Sequence, residues 1–109
     1  MSDQRENEKI DKLLQKKKSA GIIKLMGKAD EQVLVHALTA LGEIGDEDAS
    51  NQVTHYLDHP DKEVRVTACR AALHIGTEYM KTRVSHQLAM EADPETKKRI
   101  QEAFNTAHQ

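Results

Sequence analysis

A chain of 109 residues, 38% apolar and 31% charged, has room for one modest core and excludes two. It has no Trp, one Phe, two Pro and five Gly, which leaves little material for turns and bulges and points to an all-helical protein. The net charge of −2 conceals an uneven layout: residues 1–28 carry eight Lys/Arg against four acids, residues 29–64 one against nine, and residues 65–109 seven against five. An acidic middle between basic ends lacks the continuous basic stripe of a nucleic-acid binder, so none is expected as a partner.

Seven helices are expected, near 4–17, 20–28, 31–44, 47–58, 62–75, 78–91 and 95–106. The first is polar through residue 12 and reads as a cap. "KKK" at 16–18 closes it, where positive charge suits the negative end of the helix dipole. From Asp30 onward a pattern repeats. "DEQVLVHALTALGEIGDEDASNQVTHYLDHP" (30–60) aligns without a gap over "DKEVRVTACRAALHIGTEYMKTRVSHQLAME" (61–91), a period of 31. Asp30 falls over Asp61, Val33 over Val64, Ala37 over Ala68, Ala40 over Ala71, Gly45 over Gly76 and Val53 over Val84. Shifted back, Ile22 and Met26 take the Val53 and Leu57 positions. Shifted forward with one insertion, "DPETKKRIQEAF" (93–104) begins another unit.

Each unit reads as two helices. Val33, Ala37, Ala40, Leu41 and Ile44 recur at spacings of three and four, the apolar face of a first helix. Asp30, Asp61 and Asp93 precede first helices as N-caps, and Pro94 suits a first helical position. Gly45 and Gly76 follow them as left-handed C-caps. Asp46 and Thr77 cap the second helices, whose buried sides are Val53, Tyr56 and Leu57, or Met80, Val84 and Leu88. The small residues Ala37, Ala40, Ala68, Ala71 and Ala72 allow neighbouring helices to approach closely, and about three pairs suffice for a stable stack.

The stretch "IGDEDASNQVTHYLDHPDKEVRVTACRAALHIG" resembles a HEAT repeat of the short, phycobilisome-lyase-like type, with Asp61, Val64–Arg65, the spaced alanines and Ile75–Gly76 in the family's places. Leu34 stands where Arg65 stands in the next unit, which breaks a ladder of basic residues. The resemblance implies an α-α superhelix, a HEAT-like right-handed solenoid of roughly three repeats. Units are expected at about 1–29, 30–60, 61–92 and a terminal half-unit 93–109, all in one domain.

Reactive residue types have bland readings. The single cysteine, Cys69, aligns with Leu38 and reads as an apolar packing position. It cannot form an internal disulfide, which suits a reduced, cytoplasmic setting. No long apolar run follows Met1, so neither a secretory signal nor a membrane span is expected. His74 lies about 140° round the helix from Cys69, so the two share no ligand, and it aligns with the surface position Glu43. Glu43, Asp46, Glu47 and Asp48 read as a solvated turn. His55 and His86 occupy the same register on adjacent second helices. Lys24 stands in the equivalent place of the first unit and no His-Glu dipeptide occurs, so no metal site is expected. Phosphate loops, nucleophile elbows and paired cysteines are missing from the sequence.

The reading is therefore a non-catalytic protein-interaction scaffold or a subunit of a larger assembly, without cofactor. In HEAT-like arrays second helices line the concave side, which makes Asn51, Gln52, His55, Arg83, His86 and Gln87 the candidate protein-binding face. The alternative that the resemblance raises is a tetrapyrrole-lyase-like enzyme or accessory protein. Ile10, Leu14, Ile100 and Phe104 near the two ends suggest an end-to-end homodimer.

Overall fold

The computed structural model describes residues 2–107. They form α1 Ser2–Gln15, α2 Ser19–Met26, α3 Glu31–Ile44, α4 Glu47–Thr54, α5 Lys62–Ile75, α6 Glu78–Met90 and α7 Pro94–Ala107, with no strand among them. Met1, and His108 and Gln109 of the expected C-terminal cap, lie outside the described residues. All bounds fall within two residues of expectation except the end of α4, which stops at Thr54 and not at residue 58. From His55 the amides turn to i−3 carbonyls: His55 to Gln52 at 3.1 Å, Tyr56 to Val53 at 3.0 Å and Leu57 to Thr54 at 3.4 Å. This tight turn is what the chain adopts ahead of Pro60, which disfavours helical backbone at His59.

The caps expected from sequence are all present. Asp30 accepts the Val33 N–H at 3.1 Å, and Asp61 accepts those of Glu63 and Val64 at 2.9 and 3.2 Å. Asp93 accepts both the amide and the hydroxyl of Thr96, at 3.0 and 2.8 Å. Asp46 and Thr77 cap α4 and α6 through the Ala49 and Met80 amides. Gly45 and Gly76 are left-handed at φ 66° and 74° and close on Leu41 and Ala72. The end of α1 differs from expectation. The helix stops at Gln15, and Lys17, at φ 55°, takes the left-handed place usually given to glycine. Lys18 and Lys17 then donate to Leu13 and Leu14, both at 2.9 Å, the paired bonds of a Schellman motif.

The first helices α1, α3, α5 and α7 pack side by side in one layer, and α2, α4 and α6 form a second layer against them. Between the layers Ile10, Ile22, Leu38, Leu41, Val53, Val64, Met80, Val84 and Ile100 are fully buried. The five spaced alanines are buried too, and the closest approach comes where α3 meets α5. There a Cβ on Gly42 would stand 2.9 Å from the Ala71 Cβ and 3.0 Å from its Cα. One period later the same register position holds Leu73, and the α5–α7 interface opens there into a broad groove of about 600 Å³.

Polar links tie consecutive helices. His36 meets Asp11 at 2.7 Å, and Arg99 forks onto Glu63, which holds the Glu63 carboxyl below its usual range. Most buried is Arg65–Glu91, with two parallel bonds of 2.9 and 3.0 Å and side chains 14% and 4% exposed. Arg65 also donates to the His59 and Pro60 carbonyls, and Glu91 accepts the Asp93 amide. Burial pushes the Glu91 carboxyl up, but Arg65 and these hydrogen bonds outweigh it and leave the group below its ordinary range.

The stack ends are polar. Gln4, Arg5, Glu8, Lys9 and Lys12 are exposed on α1, as are Lys97, Lys98, Gln101 and Asn105 on α7. Ile10 and Ile100 are fully buried, and Leu14 and Phe104 are half-buried and packed on the core. Of these four residues, Leu14 and Phe104 thus leave part of their apolar surface exposed.

Candidate functional site on the second-helix layer

Along α6, the residues Tyr79, Arg83, His86 and Met90 fall at spacings of four, three and four, within about 60° of one another around the helix axis. To one side of the stripe, about 90–130° round the axis from its centre, Met80 and Val84 are fully buried. Tyr79 and Met90, at 60% and 67% exposure, are the two exposed large hydrophobic side chains among the described residues. Arg83 lies between them. It donates to the Tyr79 hydroxyl at 3.0 Å and holds its guanidinium carbon 5.9 Å from that ring's centre. No carboxylate among the described residues comes within 4 Å of it.

Beside this stripe a groove of about 340 Å³ opens between α6 and the turn after α4, lined by Leu57, Asp58, Arg83, His86, Gln87 and Met90. Leu57 is almost wholly buried, which gives the groove an apolar floor. Asp58 is exposed, so a carboxylate and a guanidinium both border the groove. A second, shallower depression on the α7 side of α6 is lined by Thr82, Ser85, His86, Ala89 and Phe104. His86 borders both.

The six residues expected as a binding face thus divide. Arg83, His86 and Gln87 share the groove, whereas Asn51, Gln52 and His55 do not line it. Asn51 is exposed, and its carbonyl accepts the His55 Nδ1–H at 2.8 Å. Half-buried Gln52 reaches across to the Met26 sulfur at 4.0 Å. His55 is exposed but caps the end of α4, whereas His86 sits within α6, so the matching register does not give matching settings. Gln87 also contributes to holding the Glu91 carboxyl below its usual range, which gives it a structural duty besides. Sequence reasoning missed Tyr79, Met90, Leu57 and Asp58. The 4-3-4 spacing of Tyr79, Arg83, His86 and Met90 is the available signal.

Cys69 is fully buried, and burial together with the nearby Glu91 charge pushes its thiol up to about 12. A thiol in that state is neither a nucleophile nor a metal ligand. Among the described residues no group of three or more His, Cys, Asp or Glu could hold a metal ion. His74 is exposed, as expected. No described helix is long and apolar enough to cross a membrane.

Comparison with known proteins fits this architecture. The family described as HEAT repeats matches residues 19–105, from the start of α2 almost to the end of α7. No curated protein matches the chain, and no solved structure does. Four fifths of the sequence, the paired helices with their aspartate and glycine caps and the two packed layers agree: the chain belongs to the HEAT-repeat family.

Proposed function

We propose that this protein is a non-catalytic scaffold that binds a partner protein through its second-helix layer, centred on α6. One observation carries the reading: both exposed large hydrophobic side chains, Tyr79 and Met90, stand on a single stripe with Arg83 and His86 between them. Tyr and Arg are the residue types that concentrate binding energy at protein interfaces. Large apolar side chains grouped on a monomer surface mark an interaction site more often than scattered ones do. Asn51, Gln52 and His55 extend the surface on to α4, with Gln87 at its inner margin. The chain acts as one array, with units at about 1–29, 30–60, 61–92 and 93–109, and the 31-residue period supports the short, phycobilisome-lyase-like subtype of HEAT repeat.

The test is affinity purification from the native cell with the wild-type chain and with a His55→Ala/Arg83→Ala/His86→Ala variant. The variant should lose the partner while keeping its helicity and melting temperature. Partner retention by a folded variant places the interface elsewhere. The tetrapyrrole-lyase alternative has no comparable support, because the one thiol that could hold a pigment covalently is fully buried.

A further inference from the structure

We infer that the groove between α6 and the turn after α4 receives an acidic peptide segment of a partner, with a bulky apolar side chain seated on Leu57 against Met90 and a carboxylate paired with Arg83. This rests on the scaffold reading above and adds the chemistry of what is bound. The other arginines that face the packed helices are occupied: Arg65 by Glu91 and Arg99 by Glu63. Arg83 is anchored only by a neutral hydroxyl and an aromatic face. Those contacts fix the guanidinium in place but leave its charge uncompensated, so its fork is set for a carboxylate from outside. Nearby Lys81 meets Glu78 at 3.6 Å, which leaves Arg83 as the cation that defines this side of the groove.

The groove also has a direction. Asp58 borders it together with Arg83, so an incoming carboxylate is favoured on the Arg83 side and repelled near Asp58. Between them the floor is apolar, with Leu57 only 2% exposed and Met90 standing free beside it. A segment that places an acid close to an apolar residue satisfies both parts. The corresponding register positions one period earlier, Asp48 and Gln52 on α4 and His55 and His59 in the turn after it, offer neither an exposed apolar side chain nor an arginine. The pairing is thus particular to α6 and does not follow from the repeat.

A displayed library of random 16-residue peptides, selected on the purified full chain, tests the inference. Peptides enriched on the wild type should carry Asp or Glu near a bulky apolar residue. On Arg83→Glu the selection should turn to Lys or Arg, and wild-type-selected peptides should bind it about ten-fold more weakly. Arg70→Glu makes the same charge change at an exposed position of α5 and should alter neither result. Asp58→Asn should tighten binding of the acidic peptides. Peptides that depend on His86 and Met90 but show no acidic preference, or that bind Arg83→Glu unchanged, overturn this inference and leave the scaffold reading standing. No enriched peptide, or binding that survives Tyr79→Ala/His86→Ala/Met90→Ala in a variant with wild-type helicity, overturns both.

Discussion

Gly42 is the position where the stack tolerates least change. In a helix interior a Gly→Ala substitution stabilises by about 0.8–1 kcal/mol, because alanine has less backbone freedom to lose, and in the last turn of α3, where Gly42 lies, the gain is at most that. Here the new Cβ would meet the Ala71 Cβ at 2.9 Å, its Cα at 3.0 Å and its carbonyl oxygen at 3.3 Å. Two of these three atoms belong to the backbone of α5, so no rotamer change relieves the contact and the two helices must separate. Overpacking of this kind costs about 1–3 kcal/mol, which outweighs the propensity gain at all but its lower end. Gly42→Ala should therefore destabilise by up to about 2 kcal/mol net, a fall in melting temperature of up to roughly 9 °C for a domain this size.

Two other glycines supply the controls. At Gly21 the nearest atoms are the side-chain tip of Leu13, at 2.9 and 3.2 Å, which can move aside. At Gly27 a Cβ would meet only the Lys24 carbonyl oxygen, at 3.8 Å, with φ −61°. Thermal melts followed by circular dichroism should rank Gly27→Ala at or above wild type, Gly21→Ala near it and Gly42→Ala well below. Adding Ala71→Gly to Gly42→Ala should restore only part of the loss, since the Ala71 Cα remains. A Gly42→Ala variant that gains stability as Gly27→Ala does would refute the claim that α3 and α5 touch at this point.

Lys17→Gly should raise stability by about 0.5–1 kcal/mol in chemical denaturation, because it removes a side chain from left-handed backbone at the end of α1. Glu91→Leu and Arg65→Leu should each cost about 3 kcal/mol by leaving a buried charge unpaired, and the double variant should cost clearly less than the two together. A double-mutant cycle measured by urea unfolding reads that coupling directly. Asp93 is held down to about 2, first by the Thr96 amide and hydroxyl and then by Lys62. Its folded value lies below the unfolded 3.8, so its contribution is complete above pH 4 and fades as pH falls towards 2. Asp93→Asn keeps the cap but cannot titrate, so melts between pH 2 and 5 should show a shallower acid loss than wild type. Glu31 is pushed up, chiefly by the Asp61 charge, so Glu31→Gln should raise the melting temperature at pH 7 and lose that advantage as the pH falls through the raised value.

What could be read from the sequence, and what could not, follows the range of the interaction involved. Caps and helix faces are local: an aspartate before Val33 or Val64, or a glycine after Ile44 or Ile75, fixes its geometry within four residues, and all of these are where the 31-residue register puts them. The Arg65–Glu91 pair spans 26 residues and joins a helix start to a loop, which no helical period encodes. Its one trace is a matched exchange, since Arg65 and Glu91 take the register places of Leu34 and Pro60. Arg65 stands out from Leu34 in the alignment, but its partner Glu91 sits just past the end of α6, where the turn that gains a residue begins. The site shows the same division. Register alone made His55 and His86 equivalent, yet Pro60 tightens the chain after Thr54 and turns His55 into a helix end while His86 stays within α6. Repeat register locates the layer and the helices, and departures from it locate the groove: the exposed Tyr79 and Met90 replace Asp48 and His59, and the arginine between them replaces Gln52. In a repeat protein the common positions maintain the stack, so the positions where one unit abandons its neighbour's chemistry are where a partner can be told apart.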